Sequence, residues 1–114
     1  MIINENVNIL LVDDRPLNLL ILEKVLKEPG YSFFKALSGE AALEIFQNEE
    51  IALILLDVQM PGMDGFETAQ KIRAMKKGSD IPIIFVTAVM KDAGHITRGY
   101  AINAVDYVLK PFDP

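Results

Sequence analysis

Residues 51–57 read IALILLD, an unbroken apolar run closed by a single carboxylate, and Pro61 and Gly62 follow as a turn. A short continuous apolar run bounded in this way predicts a strand buried on both faces. The same design recurs on either side. Residues 7–12 (VNILLV) stop at Asp13 and Asp14, residues 83–86 (IIFV) at Thr87, and residues 104–109 (AVDYVL) at Lys110 and Pro111. Residues 31–37 (YSFFKAL) suggest one more strand.

Helical signals fill the intervals. Pro16 stands where the first turn of a helix tolerates proline. Leu17, Leu20, Ile21 and Leu26, with Val25, form a stripe that ends near Pro29 and Gly30. Ser38 is a candidate N-cap for a helix carrying Ala41, Ala42, Ile45 and Phe46. Asp64 and Glu67 make a D-x-x-E capping pair for a third helix reaching about Lys76. A weaker fourth helix covers residues 92–102, interrupted by Gly94 and Gly99. Strand and helix alternate five times, with the last helix missing. Continuous apolar strands need cover on both faces, and right-handed crossovers place helices on each. The prediction is a doubly wound α/β fold with a five-stranded parallel sheet.

The whole chain has 114 residues, 51% hydrophobic and 24% charged, which suits one globular domain. It contains no cysteine, which excludes a disulfide framework, a thiolate metal site and a cysteine nucleophile. One histidine excludes a multi-histidine zinc site. A net charge of −5 argues against direct nucleic-acid binding, which needs a positive field. No apolar run approaches the roughly 20 residues of a membrane span, so no membrane insertion is expected. The start, MIINENVN, lacks the marks of a signal peptide, and a cytoplasmic domain is expected.

In a parallel sheet all strand carboxyl ends share one edge, where open α/β sheets bind their ligands. Asp13, Asp14, Asp57, Thr87 and Lys110 should therefore converge. Any one of them alone reads as a helix-dipole acid, a turn residue, a cap or a solvated lysine; four strand ends with matching chemistry do not. Three crowded carboxylates need a positive partner, and one lysine is too little. All-oxygen ligands point to Mg²⁺, Mn²⁺ or Ca²⁺. A carboxylate beside such a cation, with an ammonium and a hydroxyl, is equipped to become an aspartyl phosphate.

Through these residues the chain resembles the receiver domains of two-component response regulators. The matching motifs are LLVDDRP, LLDVQMPGMDG, VTA around Thr87 and DYVLKPF around Lys110, and they span nearly the whole chain. The resemblance implies a flavodoxin-like sheet of strand order 2-1-3-4-5. It implies that Asp57 accepts a phosphoryl group from a phosphohistidine on a histidine kinase or histidine phosphotransfer protein. Asp14 and Asp57 would bind Mg²⁺ directly, for which Mn²⁺ can substitute. The backbone carbonyl of Gln59 would be a third ligand, with Asp13 acting mainly through water. Lys110 would pair with Asp57 or the phosphoryl oxygens, and Thr87 would move to hydrogen-bond the group. Tyr107 would turn inward behind Thr87, Ala88 would leave room, and the Lys110–Pro111 bond would be cis. Asn103 stands where relatives often have glycine.

The implied role is a signalling switch rather than an enzyme, with slow autodephosphorylation only. A dehalogenase-like phosphatase would want a second Asp at the position of Gln59. A flavin carrier would find its phosphate repelled by Asp13 and Asp14. Residues 1–114 are expected to be a single receiver domain cut before its last helix; its motifs resemble those of receivers in hybrid sensor kinases and multidomain regulators, with a free-standing receiver as the alternative. Its output would be a domain beyond Pro114 or a protein target, and the face left by the missing helix would invite self-association.

Overall fold

The computed structural model describes residues 6–87 and 106–109. The apolar runs become strands and the intervals helices, in the order β1 (Val7–Val12), α1 (Pro16–Leu26), β2 (Tyr31–Ala36), α2 (Gly39–Asn48), β3 (Leu53–Asp57), α3 (Gly65–Ala74), a 3₁₀ turn (Lys76–Gly78), β4 (Ile83–Thr87) and β5 (Asp106–Leu109). All pairings are parallel, and the sheet order is β2-β1-β3-β4-β5, as expected. The order reverses between β1 and β3, so a crevice opens at their carboxyl ends.

Side chains alternate across a strand, and here both sets are buried. Leu10, Val12, Ile54, Leu56, Ile83 and Phe85 pack with Ala42 and Phe46 of α2 and with Phe66, Ala69 and Ile72 of α3. Ile9, Leu11, Leu55 and Val86 pack on the other face with Leu19 and Leu22 of α1. Two covered faces explain why the strands carry no polar alternation.

The caps form as read. Ser38 Oγ accepts from the Ala41 amide at 3.1 Å, Asp64 Oδ1 accepts from the Glu67 amide at 2.8 Å, and Pro16 opens α1. Strand β3 starts at Leu53 and β2 ends at Ala36, two residues and one residue inside the apolar runs, and two helices also differ from the sequence reading. The buried side of α1 is Leu19 and Leu22, while Leu17, Leu20 and Val25 of the expected stripe are exposed. Seven of the eleven α1 residues are large and apolar, so periodicity alone does not select a face. The third helix stops at Ala74, because Met75 turns extended at ψ 140° before the 3₁₀ turn.

That turn is tied down by two long cations. Arg73 Nη1 donates to the carbonyls of Gly78 at 2.9 Å and Ile81 at 2.5 Å. Burial lowers the guanidinium below its ordinary pKa, and the Asp80 carboxylate opposes that shift. Lys77 Nζ donates to the Glu49 carbonyl at 3.1 Å and lies 5.1 Å from the Phe46 ring centre. It thus supplies the positive charge that the last turn of α2 lacks. The expected fourth helix, Asn103 and residues 104–105 of the fifth strand lie outside the described residues, as do residues 110–114.

Candidate functional site

Strands β1 and β3 are neighbours, with Val12 paired to Leu56. Each strand ends one step later in a carboxylate, so the register alone brings Asp13 beside Asp57. One carboxylate oxygen from each of Asp13, Asp14 and Asp57 lies within 4.8 Å of the others. Asp13 is fully buried, Asp57 is 4% exposed, and Asp14 is half-buried. Ionised carboxylates crowded in this way repel one another. The donor set is all oxygen, the hard-ligand chemistry of Mg²⁺, Mn²⁺ or Ca²⁺, so a divalent cation fits both its charge and its atoms.

Local structure anchors two of these groups, Asp13 more tightly. Asp13 Oδ1 accepts from the Arg15 amide at 2.9 Å, and Asp13 Oδ2 accepts from Asn18 Nδ2 at 3.2 Å. Asp57 Oδ1 accepts from the Gln59 amide at 3.4 Å. The loop after β3 is fastened on two sides. The Val58 amide donates to the Val86 carbonyl at 3.2 Å, and the Gly65 amide donates to the Val58 carbonyl at 2.9 Å. Gly62, at φ 74°, turns the loop back toward α3. Below it the rings of Phe66 and Phe85 lie 4.9 Å apart.

Gly65 has a steric reason. A Cβ there would collide with the Asp57 carbonyl oxygen and would stand 2.9 Å from Val58 Cα. Only glycine lets the first residue of α3 sit directly on the Asp57–Val58 peptide.

The acids predicted from sequence are therefore brought together. Thr87 closes β4, one residue beyond Val86, which pairs with Asp57, and Tyr107 of β5 pairs with Phe85. Both are described here as backbone positions. Ala88, Lys110 and Pro111 lie outside the described residues. Sequence reasoning missed the roles of Asn18 and Gly65. A glycine at the first helical position, directly after the Asp64 cap, was the available signal for Gly65.

Residues 9–114 match the family model of the response regulator receiver domain. The chain belongs to that family. This receiver domain is 45% identical over 111 residues to the probable transcriptional regulator ycf27 of Porphyra purpurea, an alignment covering 97% of this chain and 44% of that protein. It thus spans less than half the length of the curated relatives it matches. The chemotaxis protein CheY4 of Vibrio cholerae superposes with a TM-score of 0.89 at 29% identity, covering 96% of this chain and 90% of that one. TrrA of Thermotoga maritima, a response regulator crystallised in complex with Mg²⁺–BeF, superposes at 0.79 with 39% identity, covering 93% and 88%. Receiver domains are phosphorylation-dependent switches of two-component systems, not turnover enzymes, and the family implies a histidine kinase partner. Among the described residues no helix is long and apolar enough to cross a membrane.

Proposed function

We propose that Asp57 is the phosphoacceptor of a Mg²⁺-dependent switch, charged from a phosphohistidine on a kinase or phosphotransfer partner. One observation carries this reading: the buried Asp57 carboxylate ends β3 within 4.8 Å of two further carboxylates at the sheet's switch point. In the transfer, an Asp57 oxygen forms a P–O bond as the P–N bond of the phosphohistidine breaks. The electron pair stays on the imidazole nitrogen, which takes up a proton.

Asp14, Asp57 and the backbone carbonyl of Gln59 would hold the cation, with Asp13 acting mainly through water. When bound, Mg²⁺ supplies positive charge that offsets the phosphoryl oxygens in the transition state. The Asp13 carboxylate, gripped by the Arg15 amide and Asn18, presents a fixed acceptor to that shell. Thr87 and Lys110 would gain charge-assisted bonds to the added group, Ala88 would leave it room, and Tyr107 would turn inward. A cis Lys110–Pro111 bond belongs to the same reading.

The signal would pass to a further domain or a protein target and decay by slow autodephosphorylation, in the cytoplasm. Incubation with acetyl phosphate and Mg²⁺, followed by intact mass measurement, should add one phosphoryl group. Chelation with EDTA and the Asp57→Asn substitution should each abolish it. Undiminished labelling of Asp57→Asn would overturn the assignment.

A further inference from the structure

We infer that Asn18 is a positioning residue for the cation site, a neutral donor that fixes the Asp13 carboxylate while leaving the site's negative charge intact. The inference rests on the proposed reading of the three acids as a divalent-cation site.

The geometry begins with an irregular helix start. Arg15, the N-cap of α1, offers no side-chain cap, and the first turn contains no acidic residue. The usual traffic is reversed. A capping box has the third helical residue reach back to the N-cap amide. Here Asp13, two residues upstream, accepts that amide at 2.9 Å. Asn18, the third helical residue, reaches past the cap to the second oxygen of Asp13 at 3.2 Å. Its backbone amide is engaged separately, donating to the Arg15 carbonyl at 3.0 Å.

Each oxygen of a fully buried carboxylate is thus held by a donor from the start of α1, and rotation about its Cβ–Cγ bond would break both bonds. A carboxylate oxygen can accept more than one hydrogen bond, so these two bonds do not use up its acceptor capacity. An amide facing a carboxylate must present its NH₂, since the carbonyl would repel. The choice of amide over a cation is the telling feature. Lysine or arginine at this position would satisfy Asp13 equally well. It would also cancel one of the charges that draw a divalent ion, and so compete with it. Outer groups that orient metal-binding carboxylates commonly govern affinity on the order of tenfold or more.

The test is Mn²⁺ titration of the unphosphorylated protein by calorimetry, with thermal unfolding in EDTA alongside. Asn18→Ala should weaken Mn²⁺ binding on the order of tenfold. Its unfolding in EDTA should show only the modest loss expected when a buried carboxylate gives up one of its donors, leaving the protein folded at the titration temperature. Asn18→Lys should weaken binding further, despite keeping a donor. Native-like Mn²⁺ affinity in Asn18→Ala, or in Asn18→Lys, would overturn the inference. So would a fall in EDTA stability that accounts for the whole loss. Failure of the native protein to bind Mn²⁺ at all would instead overturn the cation-site reading beneath it.

Discussion

The backbone carbonyl of Asp57 occupies the space that any side chain on Gly65 would need. Helix α3 is therefore pressed against the Asp57 peptide group, with no methyl group's width between them. Gly65→Ala should force that peptide and α3 apart, at a cost of about 1 to 3 kcal/mol for overpacking. Denaturant unfolding would read the stability loss. Labelling by acetyl phosphate should slow as well, since the displaced peptide carries the Asp57 side chain. A variant with native stability and native labelling would show that the loop yields freely.

Asp14 separates charge repulsion from cation binding, because it lies in the cluster and is only half-buried. Asp14→Asn should raise stability in EDTA by about 1 kcal/mol, by removing one of the like charges. The same substitution should abolish most of the stabilisation by Mg²⁺. For the native chain that gain is about 2.7 kcal/mol at a metal concentration 100 times Kd. Thermal melts with and without metal would show the two effects with opposite signs.

Ser38 offers a contrast outside the acid cluster, on the same sheet edge but with its hydroxyl spent on a helix start. Its hydroxyl caps α2 through the Ala41 amide, so Ser38→Ala should cost about 1 kcal/mol of stability. Labelling of Asp57 by acetyl phosphate should be unchanged while the protein remains folded.

Arg73, half-buried, serves two carbonyls with one nitrogen. Replacing the planar fork with an ammonium is not conservative at such a position. Arg73→Lys should lose about 1 to 3 kcal/mol, measured by urea unfolding, with faster amide exchange in the turn before β4.

The strands were legible because burial on both faces writes itself as uninterrupted apolar runs, as in residues 53–56. The capped starts of α2 and α3 were legible because Ser38 and Asp64 each bond an amide three residues on. The face of α1 was not, since leucines surround most of that helix and only the packed sheet singles out Leu19 and Leu22. The acids stood out as the polar ends of apolar strands, and register did the rest. Asn18 was hidden because its partner lies five residues back, across a turn whose geometry no periodicity encodes. Gly65 was hidden because a glycine in sequence does not say which backbone comes close.

The Val58 amide is pinned to Val86 and the Val58 carbonyl to Gly65, immediately after the residue proposed to receive the phosphoryl group. The acceptor strand is in effect an anvil. On the proposed reading, a group added to Asp57 would find little give in this backbone, so its bulk and charge would have to be absorbed at the open edge. Sensitivity and rigidity would then be complementary: a fixed floor would turn a small chemical addition into pressure on its surroundings.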